Sequence, residues 1–227
     1  MEGKRRAILF DADNTLYQTR AIAKPADLAA MRVFAKHCKG GTCCTPESLY
    51  AKFRQIVALL VTSRQPYRRT RLHSYAILAA RHGVPHRVVS IATAAFKQQV
   101  LRRLKLMPGI IPFLNAAKHQ GFILEVITED RAAFAAAKLR KLKLATFFSA
   151  VISADTVGTM KPNPKYFDLA LARAKIKPHD CIVIGDDFEK DLAYAKQRGA
   201  FTILIGSRDG RAGKSVKSYA GLQKYLC

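Results

Sequence analysis

A parallel α/β sheet with a helical bundle inserted near its beginning is predicted by three features of this chain. After Met107-Pro108-Gly109, short apolar runs alternate with helix-like stretches, the pattern of βα units. A further apolar run, Ala7-Ile8-Leu9-Phe10, stands apart near the N-terminus. Between the two lie four amphipathic helical patterns in succession and no strand-like run.

Taken in order, Ala7 to Phe10 reads as a fully buried strand bounded by polar turn formers. Leu28, Met31, Ala35 and Cys38 then recur at helical spacing up to Gly40-Gly41, where a helix is expected to stop. Thr45-Pro46-Glu47 opens a second helix with the stripe Leu49, Phe53, Ile56 and Leu60. Past Pro66 a third carries Leu72, Tyr75, Ala76 and Ala79, and past Gly83-Val84-Pro85 a fourth carries Val89, Ala92, Phe96 and Val100. The remaining strands are expected at Phe122 to Ile127, Ala150 to Ser153, Cys181 to Ile184 and Phe201 to Ile205. Helices follow over Arg131 to Lys141, Pro164 to Lys175, Asp187 to Arg198, and from about Lys217 to Leu226. Crossovers of this length favour a doubly wound, Rossmann-like parallel five-stranded sheet with helices on both faces. The expected organisation is a core of residues 1–17 and 106–227, interrupted by a four-helix cap at 18–105.

Composition narrows the function. The 227 residues include 39 Lys and Arg against 16 Asp and Glu, a net charge of +23, which favours anionic partners or substrates and says little about fold. From Ser48 to Leu124 there is no acid at all. The scarce carboxylates instead gather after apolar runs, as Asp11 and Asp13, Glu129 and Asp130, and Asp186, Asp187 and Asp191. Such gathering at strand ends points to a metal or catalytic centre. Cys38, Cys43, Cys44, Cys181 and Cys227 are odd in number and lack CxxC spacing, so free thiols in a reducing compartment are expected. A zinc site at His37, Cys38, Cys43 and Cys44 is disfavoured, because adjacent cysteines fit the usual spacings poorly. The apolar run before Asp11 is too short for a signal peptide and no run approaches a membrane span, so a cytoplasmic protein is expected.

Four polar constellations follow the strands. The first is Asp11-x-Asp13-x-Thr15, which by itself also fits a capped turn, with Thr15 tying the turn through its hydroxyl. The second is Thr128-Glu129-Asp130, the third Lys161-Pro162-Asn163-Pro164, and the fourth Gly185-Asp186-Asp187 with Asp191. Ligands of open α/β sheets collect outside the carboxyl ends of the strands, so the four should meet.

In this order and spacing the set resembles the haloacid dehalogenase superfamily of phosphatases and phosphotransferases, over Arg6 to about Ile205, with the insertion where that family carries a helical cap. The resemblance implies Asp11 as the nucleophile that becomes an aspartyl-phosphate. It implies Asp13 as the group that protonates the leaving oxygen and then activates water. Mg²⁺ would be held by the Asp11 carboxylate, the Asp13 backbone carbonyl and the Asp186 carboxylate, while Thr128 and Lys161 would contact the phosphoryl oxygens. Asp191 would orient Lys161 or metal-bound water; Asp187 could do either or neither. The halide-removing members lack an aspartate at the position of Asp13, so dehalogenation is not expected.

The doublet Glu129-Asp130 departs from the small or amide residue common in the family, and is expected to turn away as a helix N-terminal pair. Arg208 to Ser215 ends like a P-loop but lacks its first glycine, and reads as a basic loop. A cap closing over the strand ends would favour a small phosphorylated metabolite: a sugar phosphate, a phosphoglycolate-like acid or a nucleoside monophosphate. Arg64, Arg68, Arg69 and Arg71 are candidate contacts to a second anion. The competing reading is a nucleic-acid end phosphatase, or an RNA- or DNA-binding protein, using the basic cap. A monomer or homodimer is expected, with no membrane partner.

Overall fold

A computed structural model describes residues 6–38, 44–60 and 70–226. These fall into two compact units, one holding the chain up to Arg20 and from Leu104 onward, the other spanning Ala21–Arg103.

The first unit is built on a parallel sheet. Its strands are β1 (Ala7–Asp11), β4 (Ile123–Ile127), β5 (Ala150–Ile152), β6 (Cys181–Gly185), β7 (Phe201–Ile205) and β8 (Lys214–Val216), in the order β5-β4-β1-β6-β7-β8. The order reverses at β1, which pairs with β4 on one side and β6 on the other, and this places the crevice beyond its carboxyl end. Parallel strands covered on both faces read as continuous apolar runs, which is why Ala7-Ile8-Leu9-Phe10 carries no polar residue. Leu9 joins one buried cluster with Ile127, Ile152, Tyr166, Phe167 and Val183. Phe10 meets Phe113 and Phe148 edge to face, at 6.2 and 5.7 Å between ring centres.

Helices α5 (Ile110–His119), α6 (Ala132–Lys141), α7 (Ala154–Val157), α8 (Lys165–Ala174) and α9 (Ala193–Gln197) connect the strands. A π-helical turn over Phe188–Leu192 precedes α9. The chain leaves this unit through β2 (Tyr17–Gln18) and returns through β3 (Lys105–Leu106), which form an antiparallel ribbon.

Three expectations for this unit change. The sheet has a sixth strand, β8, which begins at the end of the stretch expected to be a basic loop and runs past it to Val216; Leu204 pairs with Ser215, while Gly213 N–H donates to Thr202 Oγ1 at 2.9 Å. The expected C-terminal helix is only a 3₁₀ turn over Leu222–Tyr225, because Gly221 at φ 74° reverses the backbone before it. Thr15 is buried, but its hydroxyl has no partner among the described residues. The turn is tied instead by Asn14, at φ 61°, whose Oδ1 accepts from Thr19 N–H at 3.1 Å and Arg20 N–H at 2.8 Å.

The second unit contains α1 (Arg20–Ala35, shared at its first residue), α2 (Pro46–Leu60), α3 (Arg71–Arg81) and α4 (Arg87–Arg103). Tyr75 lies against both Phe34 and Phe53, with ring centres 5.6 and 5.1 Å apart. Asp27, buried on α1, accepts from Tyr75 Oη at 2.8 Å and from Arg71 Nε at 2.7 Å. Arg71 therefore serves this unit's interior rather than standing ready for a second anion. Arg64, Arg68 and Arg69 lie outside the described residues.

Cys38 and Cys44 form a disulfide, with Cα atoms 6.2 Å apart, which corrects the expectation of free thiols and removes that support for a reducing compartment. The end of α1 and the start of α2 bring the two together. The donor atoms of Cys38, Cys44 and His82 lie within 4.8 Å of one another, but disulfide sulfurs offer no thiolate, so the trio is no metal site in this form. Cys181 is free and buried; Cys43 and Cys227 lie outside the described residues. No helix among the described residues is long and apolar enough to cross a membrane.

Candidate active site

The site forms where β1, β4 and β6 end. Register fixes this: Asp11 lies opposite Ile127, one residue before Thr128, and Phe10 lies opposite Ile184, two before Asp186. Side chains leaving three adjacent strands at the same level share one crevice.

Lys161 organises its interior. It is almost wholly buried, and its Nζ donates to Asp11 Oδ1 at 2.6 Å and to Asp191 Oδ1 at 2.9 Å. Burial alone would lower the lysine's pKa, but Asp11 and Asp191 outweigh it and raise it, so the ammonium stays charged. Asp191 in turn accepts at Oδ2 from Asp187 N–H, 3.2 Å away. Both its oxygens are thus engaged, in keeping with a role behind Lys161. Asp187 caps the π-helical turn, accepting from Lys190 N–H at 3.2 Å.

Gly185 is what lets Asp191 come so close. A Cβ at Gly185 would stand 2.5 Å from Asp191 Cβ and 2.6 Å from its Oδ2, distances at which no side chain fits.

Asp11 and Asp186 show what this arrangement lacks in positive charge. Burial, with Asp191 and Asp13 adding, pushes the Asp11 carboxyl up to about 7 against the pull of Lys161. Burial and the neighbouring Asp11 push Asp186 up to about 6, although Arg20 approaches it at 3.0 Å. Asp11 Oδ2 is buried without a partner among the described residues. Carboxylate oxygens of Asp11, Asp186 and Asp191 lie within 4.8 Å of one another. An orphaned oxygen inside a cluster of hard donors fits a divalent cation such as Mg²⁺.

Thr128 is buried after β4, its N–H donating to Ile152 O at 2.9 Å and its hydroxyl accepting from Asp130 N–H at 3.1 Å. The expectation that Glu129 and Asp130 turn away as a helix N-terminal pair is not met. Glu129 is partly buried, and burial raises its carboxyl, with the charges of Lys190 and Lys161 opposing. Asp130 lies 2.7 Å from the ammonium of Lys138. The start of α6 is served instead by Asp155, which accepts from Ala132 N–H at 2.9 Å.

Lys138 itself was not legible as a site residue. It lies in the basic last turn of α6, where Arg140 and Lys141 are exposed, yet it alone turns inward. Its Nζ donates to Asp13 Oδ1 at 2.7 Å. Asp13 and Asp130 raise its pKa in spite of burial. The structure thus brings Asp11, Asp186, Asp191 and Lys161 together, with Thr128 at the end of the adjoining strand and Asp13 linked to α6.

A family model for haloacid dehalogenase-like hydrolases matches residues 5–199. The chain is a haloacid dehalogenase-like hydrolase. Among curated relatives of this hydrolase, the glyceraldehyde 3-phosphate phosphatase of Methanopyrus kandleri is 30% identical over 202 residues, covering 88% of this chain and 83% of the relative. The phosphoserine phosphatase of Thermus thermophilus is 31% identical over 123 residues, 54% of this chain and 49% of that one. Among solved structures, an HAD phosphatase from Thermococcus onnurineus superposes with a TM-score of 0.76 over 97% of both chains at 20% identity, so the two share a fold.

Proposed function

We propose that this hydrolase is a Mg²⁺-dependent phosphatase that cleaves a small phosphomonoester through an aspartyl-phosphate on Asp11. The observation that carries this reading is the state of the Asp11 carboxyl: Oδ1 is held by Lys161 while Oδ2 is buried and unpartnered. Such a group is aimed, and it needs a cation before it can act.

Asp11, Asp186 and the backbone carbonyl of Asp13 would hold Mg²⁺, which relieves the repulsion between an attacking carboxylate and a phosphate dianion. Asp11 attacks phosphorus as the bond from phosphorus to the ester oxygen breaks, and Asp13 gives its proton to that departing oxygen. Asp13 then takes a proton from the water that attacks the aspartyl-phosphate, releasing inorganic phosphate and restoring Asp11. Lys161 and Thr128 donate to the phosphoryl oxygens throughout. An acid at position 13 serves an alkoxide leaving group, which halide removal would not present, so ester hydrolysis is the chemistry favoured.

Glyceraldehyde 3-phosphate and phosphoserine, the substrates in the relatives' names, are short chains phosphorylated on a primary alcohol. A substrate of that class is the one proposed, with the Ala21–Arg103 unit as its cap. The basic character of that unit does not favour nucleic acid: Phe34, Phe53 and Tyr75 are buried against one another and offer no stacking platform. Phosphate release from a panel of such esters with Mg²⁺, beside an Asp11→Asn control, tests the reading. Equal inactivity of the two proteins on every ester would refute it.

A further inference from the structure

We propose that Lys138 is a positioning residue for the acid–base Asp13, a role that rests on the phosphatase reading above. Lys138 is 3% exposed, whereas the Asp13 side chain it holds is 39% exposed. A lysine is seldom buried unless it is paired, because desolvating an ammonium is expensive. Its neighbours on α6, Ala135 and Leu139, are ordinary buried apolar residues, so an apolar side chain would have filled this place for packing alone.

The ammonium is instead fixed on every side that the structure displays. Asp13 Oδ1 and Asp130 Oδ2 each lie 2.7 Å from Nζ. The rings of Phe134 and Tyr17 flank it, with centroids at 4.8 and 5.2 Å, close enough for cation–π attraction. Phe134 stands one helical turn before Lys138, and Tyr17 follows the Asp13 turn, so the walls come from the two elements that the lysine joins. Asp130 is anchored in its turn by its N–H on Thr128 Oγ1, 3.1 Å away.

A continuous chain of contacts therefore runs from Asp13 through Lys138 and Asp130 to Thr128. Asp13 sits in a tight turn beside Asn14, and an exposed carboxylate there would otherwise rotate freely. With Oδ1 on Lys138, its remaining oxygen is the one available to the ester oxygen and then to water. The same chain ties that orientation to the loop bearing Thr128. It also gives Asp130 a purpose, as the residue that holds the far side of the ammonium.

The test compares kcat/KM, which reports the steps up to leaving-group departure, on two esters with Mg²⁺. One is an aryl phosphate, whose phenolate leaves without a proton; the other is a primary alkyl phosphate, whose alkoxide requires one. Lys138→Met should lose about 10²-fold on the alkyl ester and less than about 5-fold on the aryl ester, the signature of a misplaced general acid. Asp130→Asn, which leaves the lysine and its bond to Asp13 in place, should show the same selectivity at about a tenth of that size and serves if Lys138→Met does not fold. Equal losses on both esters, or none, in a wild type that is active would overturn the role of Lys138 alone. A wild type inactive on both esters would overturn the phosphatase reading, and this proposal with it.

Discussion

Lys161→Met is the substitution that probes the site most directly. It keeps the stem and removes the ammonium that Asp11 and Asp191 share at 2.6 and 2.9 Å. Each charge-assisted bond contributes about 1.5–3 kcal/mol, a gross loss of about 3–6 kcal/mol. Part is recovered, because the Asp11 carboxyl, already pushed up to about 7, takes a proton rather than remain charged beside Asp191. A net destabilisation of about 2–3 kcal/mol remains, equivalent to a fall of roughly 5–10 °C in Tm for a chain of this size. Catalysis should suffer more, since losing a preorganised donor to developing charge lowers kcat by about 10²–10³-fold. Thermal melting in chelator and phosphate release with Mg²⁺ give the two readings. A variant melting within about 1 °C of wild type, and retaining activity within about threefold, would show that Lys161 is a bystander, against the effects expected of a charged donor.

Gly185→Ala should force Asp191 off Lys161, because the added carbon would stand 2.5 Å from Asp191 Cβ; a loss of about 1–3 kcal/mol in stability, with at least tenfold in activity, is expected, and unchanged turnover would contradict the cradle. In the helical unit, Asp27→Leu removes the buried carboxylate that the Tyr75 hydroxyl and Arg71 share and should cost about 3 kcal/mol. Tyr75→Phe should cost about 1 kcal/mol, and the double variant less than the sum; strict additivity in urea titrations would refute the shared network. Glu125, buried in β4, has its carboxyl raised by burial, with Arg173 opposing. The folded state holds that proton to higher pH than the unfolded chain does, so this contribution to stability is lost as pH rises from the ordinary carboxylate range through the raised value. Glu125→Gln should flatten that part of the stability–pH profile, and identical slopes for the two proteins would remove the assignment.

The strand ends were readable because parallel strands expose their chemistry in one place. Three apolar runs each followed by a polar constellation, and Lys161 in the loop before a helix, leave little freedom in where Asp11, Thr128, Lys161 and Asp186 can go. Lys138 is hidden for the opposite reason. A lysine in a basic helix end looks the same in sequence whether it points to water or to Asp13, and only the crossing of α6 over the Asp13 turn distinguishes it from Arg140 and Lys141. Glu129 and Asp130 are hidden for the same reason, since the cations near them, Lys161 and Lys138, are remote or unmarked in sequence. Strand β8 has only three residues, Lys-Ser-Val, too few for a period to show. The disulfide was obscured by counting: five cysteines suggested free thiols, and no spacing rule marks Cys38 and Cys44 as a pair.

The ribbon of β2 and β3 sets Gln18 directly beside Lys105, so the points where the chain departs from the sheet and rejoins it are neighbours. In connectivity the four helices are cargo on the tip of a hairpin. Joining the two ribbon strands by a tight turn would leave every strand of the sheet threaded as before, with Asp11, Thr128, Lys161 and Asp186 in their original register. The helical unit and the strand-end carboxylates are thereby separable in this architecture: the cargo can be exchanged, lengthened or removed without rerouting the chain that carries the carboxylates.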